Sequence, residues 1–96
     1  MSDAEIIKIY ELVLKSFGLT DKEIKGEGRT MELVDCRRII AMLLSDMDIP
    51  YYRISKYINR RDRNTQYLLQ TGKDYMQVYP AFRLKFNKLK RKINES

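Results

Sequence analysis

The segment 60–65 places several side chains that can bind nucleic acid next to one another. It contains three arginines, an aspartate, an asparagine and a threonine, in the order Arg60, Arg61, Asp62, Arg63, Asn64 and Thr65. A guanidinium can donate two parallel hydrogen bonds to guanine or to a phosphate, and an asparagine amide can bind adenine in the same paired way. Each such pair with a base contributes about 1–3 kcal/mol of discrimination. The segment therefore predicts nucleic-acid recognition, unless it only caps a helix at a solvated turn.

The remaining composition gives little support to an enzyme. The chain has no histidine and one cysteine, Cys36, so it can form no internal disulfide and has few ligands for a transition metal. None of its four glycines lies in a GxxxxGK phosphate-binding motif. We therefore expect no catalytic residues, no metal, no cofactor and no small-molecule substrate.

The charge is distributed unevenly along the chain. Residues 1–52 carry seven Lys/Arg against ten Asp/Glu, a net charge of −3, whereas residues 53–96 carry twelve against three, a net charge of +9. An asymmetry of this size indicates a polyanionic partner for the second half.

The length and the pattern of apolar residues predict one soluble domain over residues 1–96. Hydrophobic residues make up 44% of the chain and charged residues 33%. No apolar run approaches the ~20 residues that span a bilayer, and the acidic start MSDAEIIKIY is unlike a secretory signal. We therefore expect no membrane partner and a cytoplasmic location.

Apolar residues recur at helical spacing throughout, which predicts an all-α, compact bundle of about five to six helices. Capping patterns at Ser2 and Thr20 begin the first two helices, and Gly18 ends the first. Two glycines keep residues 25–30 out of a helix and leave Arg29 on a basic loop. The most apolar helix, 31–47, should form the centre of the core, with Cys36 inside and two arginines, Arg37 and Arg38, at or near its polar edge.

Two shorter patterns then predict a helix-turn-helix. Residues 51–58 form the first helix, 59–61 the connector and 62–76 the second helix, with Asp62 as its N-cap and Tyr67, Leu68, Leu69 and Tyr75 on its buried side. In this arrangement the first turn of the second helix stays polar and faces the DNA groove. That turn is predicted to point Arg63, Asn64 and Thr65 outward. A last helix begins near Pro80 and buries Phe82, Phe86, Leu89 and Ile93.

The order of these parts resembles the C-terminal DNA-binding domain of the bacterial replication initiator DnaA, whose fold is similar to Trp repressor. The resemblance covers nearly the whole chain. CRRIIAMLL (36–44) is similar to that family's arginine-containing aliphatic run, and NRRDRNTQ (59–66) stands in the place of its hallmark G-G-[RK]-D-H-[TA]-T-V. YMQVYPAFRLKFNKLKRKI (75–93) is similar to its closing segment.

The resemblance implies DNA contacts for the three residues that match the hallmark, which are Arg61, Asp62 and Thr65. It also implies a backbone contact for Arg37 and a minor-groove contact for Arg29. Asp62 either reads a cytosine amino group or only caps its helix. Arg63 and Asn64 replace the hallmark's histidine and its neighbour, so their base-reading role rests on geometry alone. The predicted DNA-binding set also includes three further arginines, Arg38, Arg53 and Arg60.

The expected function is therefore sequence-specific binding of double-stranded DNA, replication-initiator-like or regulatory, without ATPase activity, by a free-standing or excised domain. One alternative is a protein-interaction module that kept the fold and lost specific DNA reading. Another is non-specific nucleic-acid binding through the lysine-rich last helix.

Overall fold

A computed structural model describes residues 2–95, and within this range the regular secondary structure is entirely helical, without strands. The six helices are α1 (Asp3–Phe17), α2 (Asp21–Lys25), α3 (Met31–Asp46), α4 (Tyr51–Ile58), α5 (Asp62–Val78) and α6 (Pro80–Glu95). The predicted all-α bundle of five to six helices is confirmed. None of these six helices is both long enough and apolar enough to cross a membrane.

The core is organised around α3, which packs against all five other helices. Its middle is buried on every side, since Ile39, Ile40 and Ala41 follow one another and are all fully buried. Cys36 also lies in this core, as predicted for a small apolar side chain. Burial raises the pKa of its thiol to about 12, so the sulfur stays protonated and unreactive.

The predicted capping residues begin and end the first two helices. The Ser2 hydroxyl accepts a hydrogen bond from the Glu5 amide at 3.3 Å, and Thr20 forms a complete capping box with Glu23. Gly18 ends α1 with a φ of 68°, a left-handed conformation that glycine adopts without a steric cost. These local signals were sufficient to place the helix ends correctly.

The start of α5 differs from the prediction by one residue. Asp62 was expected to be the N-cap, but Arg61 is, and no side chain caps this helix end. The reason is that the Arg61 carbonyl already accepts the first helical hydrogen bond, from the Thr65 amide at 3.0 Å. Asp62 is therefore the first helical residue, where its negative charge is favourable near the helix N-terminus. Pro50 is the N-cap of α4, so this helix also begins without a side-chain cap.

Gly72 allows α5 to approach α3 closely. It is buried within α5, and a Cβ atom at this position would overlap the Met42 sulfur and lie 3.3 Å from Cγ of Arg38. The absence of a side chain at this position therefore permits the close packing of the two helices.

We predict that Gly72→Leu lowers the free energy of unfolding by about 1–3 kcal/mol, because the added atoms overpack the α3–α5 contact, although leucine is the better helix former. Urea unfolding followed by circular dichroism measures the change. Lys73→Leu, at the exposed neighbouring position, is the matched control and should change stability by less than about 0.5 kcal/mol. Equal stability of the two variants would contradict the packing role.

Candidate nucleic-acid interface

A three-residue connector turns the chain sharply between α4 and α5. Asn59 ends α4 with a φ of 52°, in the left-handed region that asparagine tolerates better than most residues. The amides of Asn59 and Arg60 both donate to the Ser55 carbonyl, so the last turn of α4 is closed by backbone bonds. The two helices and the connector therefore lie where the sequence predicted them.

A pair of buried hydroxyl groups joins α4 to α5. Oγ of Ser55 and Oγ1 of Thr65 lie 2.7 Å apart, and each also reaches a backbone carbonyl of its own helix, that of Tyr51 at 2.8 Å and that of Arg61 at 3.3 Å. Each hydroxyl has a single proton. One of them therefore donates to the carbonyl of its own helix, and the other donates to its partner hydroxyl.

The prediction that Thr65 faces outward with Arg63 and Asn64 is therefore wrong, since Thr65 is 0% exposed. Its position in the helix explains this. Thr65, Leu68 and Gly72 are the buried residues of α5, and their spacing of three and four residues places them on one face.

The prediction for Arg37 is also wrong, because its side chain is not at the polar edge of α3 but only 3% exposed. Nε donates to the carbonyl of Ile24 at 2.9 Å and Nη1 to that of Gly28 at 2.7 Å. Nη2 donates to the carbonyls of Glu23 and Gly26, each at 3.2 Å. These carbonyls lie at the end of α2 and in the loop after it, where a helix leaves acceptors unpaired. Arginine is suited to this position because it has five donors and no acceptor.

Arg38 is likewise buried, at 3% exposure, contrary to its predicted place at the surface. Its guanidinium donates to Oγ1 of Thr71 at 3.0 Å and to Oδ1 of Asp35 at 2.9 Å. It also lies over the Tyr75 ring, 4.0 Å from the centroid, a distance at which the cation and the ring attract each other. Its partners are therefore all inside the fold, between α3 and α5.

Arg53 lies on α4 and is paired with the start of α1. Its Nη2 donates to Oδ1 of Asp3 at 2.9 Å, and the Tyr57 hydroxyl donates to the same oxygen at 2.8 Å. These two hydrogen bonds, with that of Tyr57 contributing more, lower the pKa of Asp3. The structure does not bring Arg53 together with the arginines of the connector.

The loop between α2 and α3 is bound to the connector by two further side chains. Nη2 of Arg60 donates to the Gly26 carbonyl at 2.5 Å, and Nδ2 of Asn59 donates to the Lys25 carbonyl at 2.9 Å. With Arg37, these residues fix the backbone of the predicted basic loop. Arg29 is thereby held near the start of α5.

Between this loop and the start of α5 lies a groove with a volume of about 670 Å³, which we call the basic groove. It is lined by five arginines and four other residues, namely Arg29, Arg37, Arg60, Arg61, Arg63, Val34, Asn64, Tyr67 and Leu68. Within residues 2–95, no aspartate or glutamate lines it. In the same part of the chain, the side chains of Arg29, Arg61 and Arg63 are exposed and make no hydrogen bond or ion pair. Asp62 is exposed but does not line the groove.

Tyr67 is a groove residue that the sequence interpretation missed. It was predicted to lie on the buried side of α5, but it is 59% exposed. Its place four residues after Arg63 was the available signal, because residues at this spacing share a face of a helix. Val34, which is half-buried on α3, was also not predicted to line the site.

Comparison with protein-family models and with curated proteins returned no match. Among residues 2–95, no three or more histidines, cysteines or acids are grouped as a metal site would require.

We predict that Arg37→Leu lowers the free energy of unfolding by about 3 kcal/mol, because it leaves buried carbonyls without a donor. Arg37→Lys should be intermediate, since an ammonium has three donors and no planar fork. Arg61→Leu is the matched control on an exposed, unpaired arginine and should stay within about 0.5 kcal/mol of wild type. Chemical unfolding measures all three, and equal values for the two leucine variants would refute the structural role of Arg37.

We also predict that Thr65→Val and Ser55→Ala each lower the free energy of unfolding by about 1 kcal/mol, since each leaves a buried hydroxyl with one partner fewer. The double variant should lose clearly less than the sum of the two, because it removes both hydroxyl groups. Thermal or urea unfolding of the four proteins gives this cycle. Strictly additive losses would mean that the two hydroxyls do not interact.

Proposed function

We propose that the protein binds double-stranded DNA, with the first turn of α5 in the major groove and the neighbouring arginines on phosphates. The basic groove is the observation that carries this proposal. It combines five guanidinium groups directly beside the second helix of a short helix pair, and none of the described residues that line it is acidic. This combination is typical of a helix-turn-helix and its electrostatic contact with DNA.

The electrostatics of the groove favour an anionic partner. The pKa of Arg37 is lowered first by burial and then by the positive charge of Arg60, with a smaller contribution from Arg29. Guanidinium groups this close repel one another, and no acid among the described lining residues relieves the repulsion. A row of phosphates would do so, and it would release condensed counterions as it bound.

The exposed residues divide into two groups by their place in the groove. Arg63 and Asn64 lie in the first turn of α5, where side chains of a recognition helix reach base edges. Arg29 and Arg61 lie before helices, and we assign them to phosphates or to the minor groove. Arg37 and Arg60 shape the loop, and Thr65 fixes the helix pair, so these three act on DNA only through other residues.

A role similar to that of a replication initiator stays a proposal that rests on the resemblance of sequence alone. Thr65, one of the residues matching the hallmark, packs between α4 and α5. The match at this position is therefore explained by the requirements of the helix pair. The residues expected to choose the DNA sequence are Arg63 and Asn64, which depart from the hallmark.

We predict that Arg63→Ala weakens binding to the preferred duplex by about 5- to 100-fold and relaxes the preference at one base position. The preferred sequence is first selected from a randomised duplex library. Arg61→Ala should instead weaken binding to all sequences and reduce the slope of log affinity against log salt by about 1. Arg91→Ala, which removes the same charge from an exposed position of α6, is the control and should have the smallest effect.

Three results would count against the proposal. If Arg63→Ala keeps the full preference, Arg63 does not read a base. If the groove variants lose no more affinity than Arg91→Ala, the groove is not the DNA interface. If no duplex is preferred at all, the protein is a non-specific binder or an interaction module.

A further inference from the structure

The basic groove has an apolar floor beneath its charged rim. Leu68 is buried and Val34 half-buried, and both line the groove. The Tyr67 ring stands at the same surface with more than half of its area exposed. A surface that only follows a phosphate backbone needs positive charge but no apolar depression. The shape of the groove therefore calls for a ligand with an apolar, planar part.

The dimensions and chemistry of the groove fit one class of small molecule. Its volume of about 670 Å³ lies within the roughly 300–1,000 Å³ typical of small-ligand pockets. An exposed tyrosine ring can stack on a nucleobase. Guanidinium groups bind phosphate oxygens through paired hydrogen bonds, and the rim offers three that have no partner in the described chain, those of Arg29, Arg61 and Arg63. A base with a chain of phosphates would use both parts of the groove.

Hydrogen bonds within the chain hold part of the groove in place. Arg37 and Arg60 are held by carbonyls of the loop, so two positive charges of the groove have fixed positions. Holding the loop in this way also limits the freedom of Arg29. A site with its charges already placed loses less conformational entropy on binding.

We propose that the basic groove binds a free nucleoside di- or triphosphate, which competes with DNA. The base lies against Tyr67 and the apolar floor, and the phosphates bind Arg29, Arg61 and Arg63. Nucleotide binding stands by itself on the geometry of the groove. The competition, by contrast, rests on the proposed DNA binding.

The first experiment separates the contribution of the base from that of the phosphates. Isothermal titration calorimetry at constant ionic strength compares ATP, tripolyphosphate and adenosine on the full chain. ATP should bind at least about tenfold more tightly than tripolyphosphate, because stacking adds to the phosphate contacts. Adenosine should bind more weakly than both. Equal affinities for ATP and tripolyphosphate, or no binding of ATP, would overturn the proposal.

Variants at Tyr67 locate the base. Tyr67→Ala should remove the advantage of ATP over tripolyphosphate and leave the affinity for tripolyphosphate unchanged, whereas Tyr67→Phe should keep the advantage. Tyr52→Ala, at an exposed tyrosine that does not line the groove, is the matched control. Since Tyr67 is mostly exposed, the melting temperature should stay constant and show that the variants fold. An unchanged ATP advantage in Tyr67→Ala would refute the assignment.

Competition is measured by adding ATP to a preformed complex with the selected duplex, at fixed ionic strength. ATP should displace the duplex from the wild-type protein, and Tyr67→Ala should need at least about tenfold more ATP for the same displacement, because only its phosphate contacts remain. ATP binding without displacement would overturn the competition. If ATP binds and no duplex does, the proposed DNA function fails while the nucleotide site stands. If the duplex binds and ATP does not, the nucleotide proposal fails and the DNA function stands.

Discussion

The geometry of the basic groove depends on the buried guanidinium of Arg37. It donates hydrogen bonds to four carbonyls, which belong to the last turn of α2 and to the glycine-containing loop after it. Without these donors, the loop would have to leave its acceptors unpaired inside the fold or move outward to water. Arg29 would then lose its place opposite the start of α5. A residue of the central helix thus organises a surface that it hardly reaches.

The fold could be predicted from sequence because its signals are local. Apolar spacing identified the helices, and Ser2, Thr20 and Gly18 marked helix ends through bonds within a few residues along the chain. The ends of α3 and α5 differ from the prediction by one or two residues, and the N-cap of α5 is Arg61 rather than Asp62. There the N-cap is decided by which carbonyl accepts the first helical hydrogen bond, and this depends on how tightly the connector turns.

The candidate site was predictable in its location but not in the role of each residue. Arg29, Arg61 and Arg63 were expected at a shared surface, and they line one groove. Arg37 was misplaced because a charged residue usually indicates a polar face, and only the distant loop shows why it is buried. Thr65 was predicted to be exposed and Tyr67 to be buried, and the structure shows the reverse. The error arose because residue type was given more weight than the helical spacing of Thr65 with Leu68.

The hydroxyl pair between Ser55 and Thr65 also sets the rotation of α5 about its own axis. Apolar contacts tolerate small rotations of a helix, whereas a hydrogen bond between two short side chains holds in only one orientation. A shift by one residue would turn the helix by roughly 100° and carry Arg63 away from the groove. This pair therefore fixes the rotation of α5. Residues on the exposed face of α5 can be substituted, and the new side chains will still point toward the groove.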